Sequence, residues 1–200
     1  PHWAPPLSVL MLTLATVLMG VIIGGGLTLV MAKMPGFDLA VVMGEIADHN
    51  TPERRNLLRG ANLLSHVFTF SVAPIAVAIF IFRRQWAERL GLWPAHDWKK
   101  LAYATVFMLF TMPWVQLTYW LNKQIPLPQW MGAMEERTGG LIQSLLVMDS
   151  PGELIFTLVV IALAPALGEE LLFRGIVQQQ LSRWWGKPVW AVWITAVLFS

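Results

Sequence analysis

Three ionisable residues stand inside an apolar run. Glu169, Glu170 and Arg174 lie in the stretch GEELLFRG at 168–175, and upstream no charge occurs from Leu154 to Leu167. An ionised side chain at the centre of a bilayer costs roughly 2.5–3.5 kcal/mol on insertion scales. Such a group needs a partner, a wet cavity or a reaction to serve. This spacing offers two kinds of chemistry. One is a charge pair: Arg174 follows Glu170 by four residues, with the acid on the N-terminal side, the favoured order along a helix. Gln178 continues that face one turn later. The other is proton transfer. Glu169 is turned about 100° from Glu170 on an α-helix, towards Pro165, Leu172 and Phe173, and has no partner on its own helix. A lone carboxylate in a low-dielectric place suits a general base. Glu169 is therefore the candidate base. Glu170 and Arg174 form an ion pair, expected to be buried and to support the site or to pin helices together.

The element that must carry these residues is the run 154–181. At 1.5 Å per residue it is roughly 42 Å long, more than a hydrocarbon core of about 30 Å, so it tilts or bends. Pro165 is the bend, since it leaves the carbonyl of Ile161 without its helical donor. The midpoint falls near Leu167 and Gly168, which puts the acids at mid-membrane. Gly168 leaves room there for another helix or for substrate.

The remaining chain reads as more of the same material. It has 200 residues, 56% of them hydrophobic and 13% charged, with mean hydropathy +0.58. Soluble domains carry about a quarter charged residues. The expected fold is all-α: a polytopic integral membrane helical bundle, a single membrane domain over 1–200. The spans are about 7–32, 63–82, 101–121 and 154–181, with a fifth from 189 that continues to 200. The chain opens at Pro1 without Met and stops at Ser200 inside an apolar run, so it reads as cut at both ends.

Within the first span Gly20 and Gly24 make a small-xxx-small step suited to close helix packing. Pro74 and Pro113 lie inside the second and third spans. The segment 33–62, with Arg54, Arg55 and Arg59, reads as amphipathic or interfacial, and 122–152 as a loop with one or two short interfacial helices. Tryptophans such as Trp86, Trp98, Trp120, Trp184 and Trp185 flank the apolar runs, as interfacial belts do. Five Lys and Arg in 83–100 against two in 122–152 put the former loop in the cytoplasm. The first loop, with four, fits that orientation poorly.

Several functions are disfavoured. A net charge of +2 without a Lys/Arg block gives no footprint for nucleic acid. With no cysteine there is no disulfide scaffold, no Cys nucleophile and no Cys metal site. The sequence holds no HExxH, GxGxxG, P-loop or EF-hand. Of His2, His49, His66 and His96, His66 alone lies in a span, where it reads as a polar residue near an interface. Gln116 reads as a helix–helix hydrogen-bonding residue.

The stretch APALGEELLFRG at 164–175 resembles the first motif, EExxxR, of the CPBP family of CAAX-processing and bacteriocin-processing membrane proteases, also called Abi. The match is Glu169, Glu170 and Arg174 followed by Gly175, and the resemblance covers about 150–200. It implies an all-helical intramembrane endopeptidase with a cavity between helices. By resemblance, Glu169 activates water together with a histidine of the second motif, FxxxH, while Glu170 and Arg174 support the site. Phe199 would open that second motif, whose histidine falls three residues past Ser200. The resemblance leaves two mechanisms open, one using a divalent metal such as zinc with Glu169 as a ligand, the other metal-free. It also implies a membrane-associated peptide or protein substrate, the lipid bilayer as surroundings, and a bacterial cytoplasmic membrane. The residues leave two rival readings. One is a non-enzymatic scaffold or immunity protein of the same fold. The other is a proton-coupled transporter, against which stands the lack of a second acidic half.

Overall fold

A backbone inside a bilayer must satisfy its own hydrogen bonds, and these apolar runs do so as helices. The computed structural model describes residues 4–31, 33, 51–92, 97–126 and 128–199, and no strand occurs among them. We number the helices α1 (Pro6–Met31), α2 (Pro52–Arg89), α3 (Trp98–Lys123), α4 (Gln129–Leu146), α5 (Pro151–Trp185) and α6 (Pro188–Phe199). Of these, α1, α2, α3 and α5 are long and apolar enough to cross a membrane. Residues Ala32 and Ser200, at the edges of two expected spans, and His2, His49 and His96 lie outside the described residues.

The helix boundaries follow from local chemistry. Thr51 caps α2, its hydroxyl accepting the Arg54 N–H at 3.4 Å, and Pro52 fills the first position, where an N–H would be unpaired. Ser150 caps α5 in the same way, accepting the Glu153 N–H at 3.2 Å ahead of Pro151. The α5 helix ends at Gly186, whose φ of +64° suits glycine, and Pro188 opens α6. The chain forms two compact units. The first comprises Pro1–Leu92 and Gly140–Ser200, with α1, α2, α5 and α6; the second is Trp93–Gly139, with α3 and most of α4.

In the first unit α2 lies between α1 and α5, and glycines set the spacing on both sides. A methyl group on Gly20 would stand 2.5 Å from the Phe68 carbonyl oxygen, and one on Gly24 would stand 2.7 Å from the Ser65 Cα. The expected close step is therefore an antiparallel contact of α1 with α2. On the other side, a methyl on Gly168 would meet Phe70 Cβ at 2.9 Å and Ser71 Oγ at 3.0 Å. Towards the far end, Val9, Val77, Ala78, Phe82, Leu90 and Ile176 form the apolar core.

Prolines shape both inner helices. Ahead of Pro74 and of Pro165 the backbone widens into π-helical turns, Val67–Val72 and Val159–Leu163. The residue before each proline donates five residues back: Ala73 N–H to the Phe68 carbonyl, and Ala164 N–H to the Val159 carbonyl. The wider turn relieves the clash of each ring with the carbonyl four residues earlier.

The polar start of α2 departs from the interfacial surface expected of it. It is helical from Pro52, and Arg55 and Arg59 point inward and are buried. Their partners lie about ninety residues away in sequence. Glu153, in the first turn of α5, accepts from Arg55 Nη2 at 3.1 Å and from Arg59 Nη1 at 3.3 Å. Arg55 also pairs with Asp149. The remaining Arg59 donors reach Asn56 Oδ1 at 2.8 Å and the carbonyls of Leu145 and Val147 at 2.9 and 2.6 Å. The Leu145 carbonyl belongs to the last turn of α4, where the helix itself supplies no donor. Burial is affordable because every charge meets an opposite charge or an oriented carbonyl.

Two stability outcomes follow. Gly24→Ala should destabilise the fold by about 1–3 kcal/mol through overpacking, whereas Gly25→Ala, which meets open space, should stay within about 0.5 kcal/mol; thermal unfolding in detergent compares them. Arg59→Leu should cost about 1–3 kcal/mol, because the Leu145 and Val147 carbonyls lose their donor while Glu153 keeps Arg55. A melting temperature equal to the parent's would show that the cluster contributes little.

Candidate active site

The motif residues lie where α5 changes pitch. From Glu170 to Val177 the helix is again π-helical, and the Gln178 N–H reaches back five residues to the Phe173 carbonyl. Widened turns of this kind recur at functional sites. Glu170 and Arg174 form the expected pair, with Nη1 to Oε2 at 3.1 Å. Their setting differs from expectation: the side chains are 54% and 73% exposed, so the pair borders a cleft and is not enclosed by the described helices.

The cleft lies between α5 and α6 and has a volume of about 240 Å³. Glu169, Glu170 and Arg174 line its α5 side, and Thr195, Ala196 and Phe199 its α6 side. It exists because α6 turns back at Gly186 and packs on the end of α5. Phe199 then meets Phe173 edge to face, with ring centres 5.4 Å apart and planes at 86°. Thr195 shares the Phe199 face of α6, one turn earlier. Its hydroxyl is buried and has no hydrogen-bond partner. One wall thus carries charge, and the other is apolar with a single free hydroxyl.

Glu169 is half-buried at the edge of this cleft. It has no partner on its own helix, yet α2 brings one close. The His66 ring lies close enough to feel the Glu169 carboxylate and the Pro165 backbone. The same ring stacks on Phe70 at 4.5 Å, and its Nε2 is buried without a partner. Phe70 in turn presses against Gly168, so the missing side chain at 168 lets α2 present an imidazole to the turn that carries Glu169. The sequence reading took His66 for an interfacial residue. The one available signal was its position inside an apolar run, since its neighbours on α5 lie about a hundred residues away. The glycine after Arg174 is also used for packing: a methyl on Gly175 would stand 2.8 Å from Leu90 Cδ2.

Among the described residues no three His, Asp or Glu side chains converge as metal ligands. They do not by themselves supply a coordination set for zinc or a similar divalent ion. What they do supply around a cleft at mid-helix is a carboxylate, a guanidinium paired to a second carboxylate, and a hydroxyl, with the His66 imidazole near Glu169 on the neighbouring helix. That set can accept a proton, orient a water and stabilise a developing oxyanion.

A family model described as type II CAAX prenyl endopeptidase Rce1-like matches residues 151–200. The match spans α5 and α6, the two helices that build the cleft. That family lies within the CPBP family, so the resemblance carried by Glu169, Glu170 and Arg174 extends across both helices. No curated protein and no solved structure matches the chain. With four helices long enough to span a bilayer and an intramembrane protease family matched across two helices, the chain is an integral membrane protein.

Gly168→Ala tests the link between packing and site. The added methyl meets both Cβ and backbone of Phe70, so α2 and α5 must separate. Thermal unfolding should report a loss of about 1–3 kcal/mol. Unchanged stability would mean that the two helices yield freely at this point.

Proposed function

We propose that the protein is an intramembrane endopeptidase in which Glu169 activates the water that attacks a peptide bond. The observation that carries this reading is the position of Glu169, midway along a spanning helix, at the edge of a cleft and opposite a histidine. In this mechanism a peptide segment enters the cleft between α5 and α6. Glu169 takes a proton from water, and the resulting hydroxide adds to the scissile carbonyl. The tetrahedral oxyanion accepts hydrogen bonds from donors on the cleft walls, with the Arg174 guanidinium and the Thr195 hydroxyl both available. Protonated Glu169 then delivers its proton to the leaving amine, and the C–N bond breaks. The Glu170 carboxylate keeps the guanidinium oriented and balances its charge.

His66 is a positioning residue in this scheme. It lies on α2 beside the turn that carries Glu169, and it stacks on Phe70, which presses against Gly168 in that turn. By resemblance, Phe199 would open the family's second motif, and Phe199 already lines the cleft. The substrate class is a membrane-associated peptide or protein. The apolar α6 wall suits a lipid-bearing or hydrophobic segment, in keeping with the prenyl substrate in the matching family's description.

The test is cleavage of a panel of fluorogenic membrane peptides by the native-length protein in nanodiscs. Glu169→Gln should lower turnover by about 10²–10⁴-fold, the usual contribution of a general base, with its melting temperature unchanged. His66→Ala should lower kcat by about tenfold, a part of that contribution, and His66→Gln should restore some of it by keeping a polar group beside the Glu169 turn. Full activity in Glu169→Gln would remove the base and leave the non-enzymatic scaffold as the reading of the fold. Equal loss of stability and activity in His66→Ala would reduce His66 to a packing residue.

A further inference from the structure

A second cleft lies between the ends of α2 and α5. It has a volume of about 220 Å³ and is lined by Phe82, Arg89, Gln179, Gln180 and Arg183. Arg183 is fourteen residues beyond Glu169, roughly 20 Å along the helix, so this cleft is separate from the candidate active site.

Its construction is specific. Phe82 and Gln180 are buried and form the floor. Gln179 Nε2 donates to the Arg89 carbonyl at 2.8 Å, tying the end of α2 to α5. Arg183 Nη1 donates to Gln180 Oε1 at 3.1 Å, which orients one guanidinium over the floor. The chain reaches this arrangement by a sharp break after Phe82. Arg83 has a φ of +54°, and a short turn brings Arg89 back over α5. A non-glycine residue held there is strained, so packing around the turn sustains it.

The level of the cleft along the helices points to its ligand. Both helices end here, and tryptophans gather: Trp86 on α2, and Trp184 stacked on Trp185 at 5.8 Å on α5. Such tryptophans mark the headgroup layer of a bilayer. Arg83, Arg84, Arg89, Arg183 and Lys187 cluster within these two helix ends, against Glu88 as the acid of the segment. Guanidinium forks match phosphate oxygens in pairs, and the half-buried Gln179 amide keeps a second N–H for an ester or glycerol oxygen. The apolar Phe82 floor suits the carbons that follow a headgroup phosphate.

We infer that this cleft binds a phosphate-bearing anion, and that its depth assigns the phosphodiester of an anionic membrane lipid. The probe is phosphatidylglycerol in phosphatidylcholine nanodiscs, with retained lipid measured by native mass spectrometry after transfer to detergent. The parent should retain phosphatidylglycerol in preference to phosphatidylcholine. Arg89→Gln with Arg183→Gln should weaken retention by about thirtyfold, the effect of neutralising two interfacial arginines. Arg89→Lys with Arg183→Lys keeps the charge and should keep the preference, which guards against a folding defect in the glutamine pair. Lys99→Gln with Lys100→Gln makes the same charge change in the other unit and should leave retention unaltered. Equal retention in the arginine-to-glutamine pair, or equal loss in the lysine pair, would overturn the proposal. A parent that shows no lipid preference but binds millimolar inorganic phosphate would overturn the lipid assignment and give the cleft to a soluble phosphate.

Discussion

The rest of the first unit depends on a buried ion cluster. Arg55 and Arg59 of α2 share the Glu153 carboxylate of α5, while Arg59 also closes the end of α4 through the Leu145 carbonyl. Apolar helices in a bilayer slide easily against one another, because lipid tails are as apolar as leucine and give no hydrophobic drive to associate. Charges that must pair or pay for isolation remove that freedom. The cluster joins the starts of α2 and α5, which makes the two helices parallel and sets their register. Gly168 on Phe70, His66 beside the Pro165–Glu169 turn, and Leu90 on Gly175 then follow in order along the same interface.

The two inner helices also share a backbone device. Each carries an Ala-Pro step preceded by a widened turn. On α2 the widened turn begins just after His66, and on α5 a second one begins at Glu170. The polar residues of the candidate site thus sit where the regular hydrogen-bond ladder is already interrupted. A bilayer tolerates such interruptions where neighbouring helices cover them, and here α2 and α5 cover each other.

How much of this was legible from sequence depends on the distance over which each signal acts. The spanning helices were legible because hydropathy is summed over a whole span. So were the Pro165 irregularity, the Gly20–Gly24 step and the Glu170–Arg174 pair, since each is written in four or five adjacent residues. The pair's exposure was not legible, because it depends on the line taken by α6 after Gly186. Arg55 and Arg59 read as surface residues because nothing near them in sequence could pair with them; Glu153 lies ninety-four residues from Arg59. The nearness of His66 to Glu169 was not legible for the same reason, since about a hundred residues separate them. The π-helical stretch through the motif leaves no mark in residue type, since one extra residue in a turn barely alters the periodicity of an apolar helix.

The widened turn at Glu170–Val177 has a mechanical consequence. A π turn holds one residue more than an α turn, and that surplus can move along the helix by exchanging one carbonyl partner for the next. Each step rotates the intervening side chains by about 100° while the number of backbone bonds stays the same. The Glu170 carboxylate and the Arg174 guanidinium are therefore mounted on a section whose pitch can shift within an otherwise regular rod. Its two ends are held separately, at Glu153 by the arginines and at Gln179 by the Arg89 carbonyl. In the proposed mechanism, a peptide arriving sideways from the lipid would be met by rotation of that section, with neither end of the helix displaced.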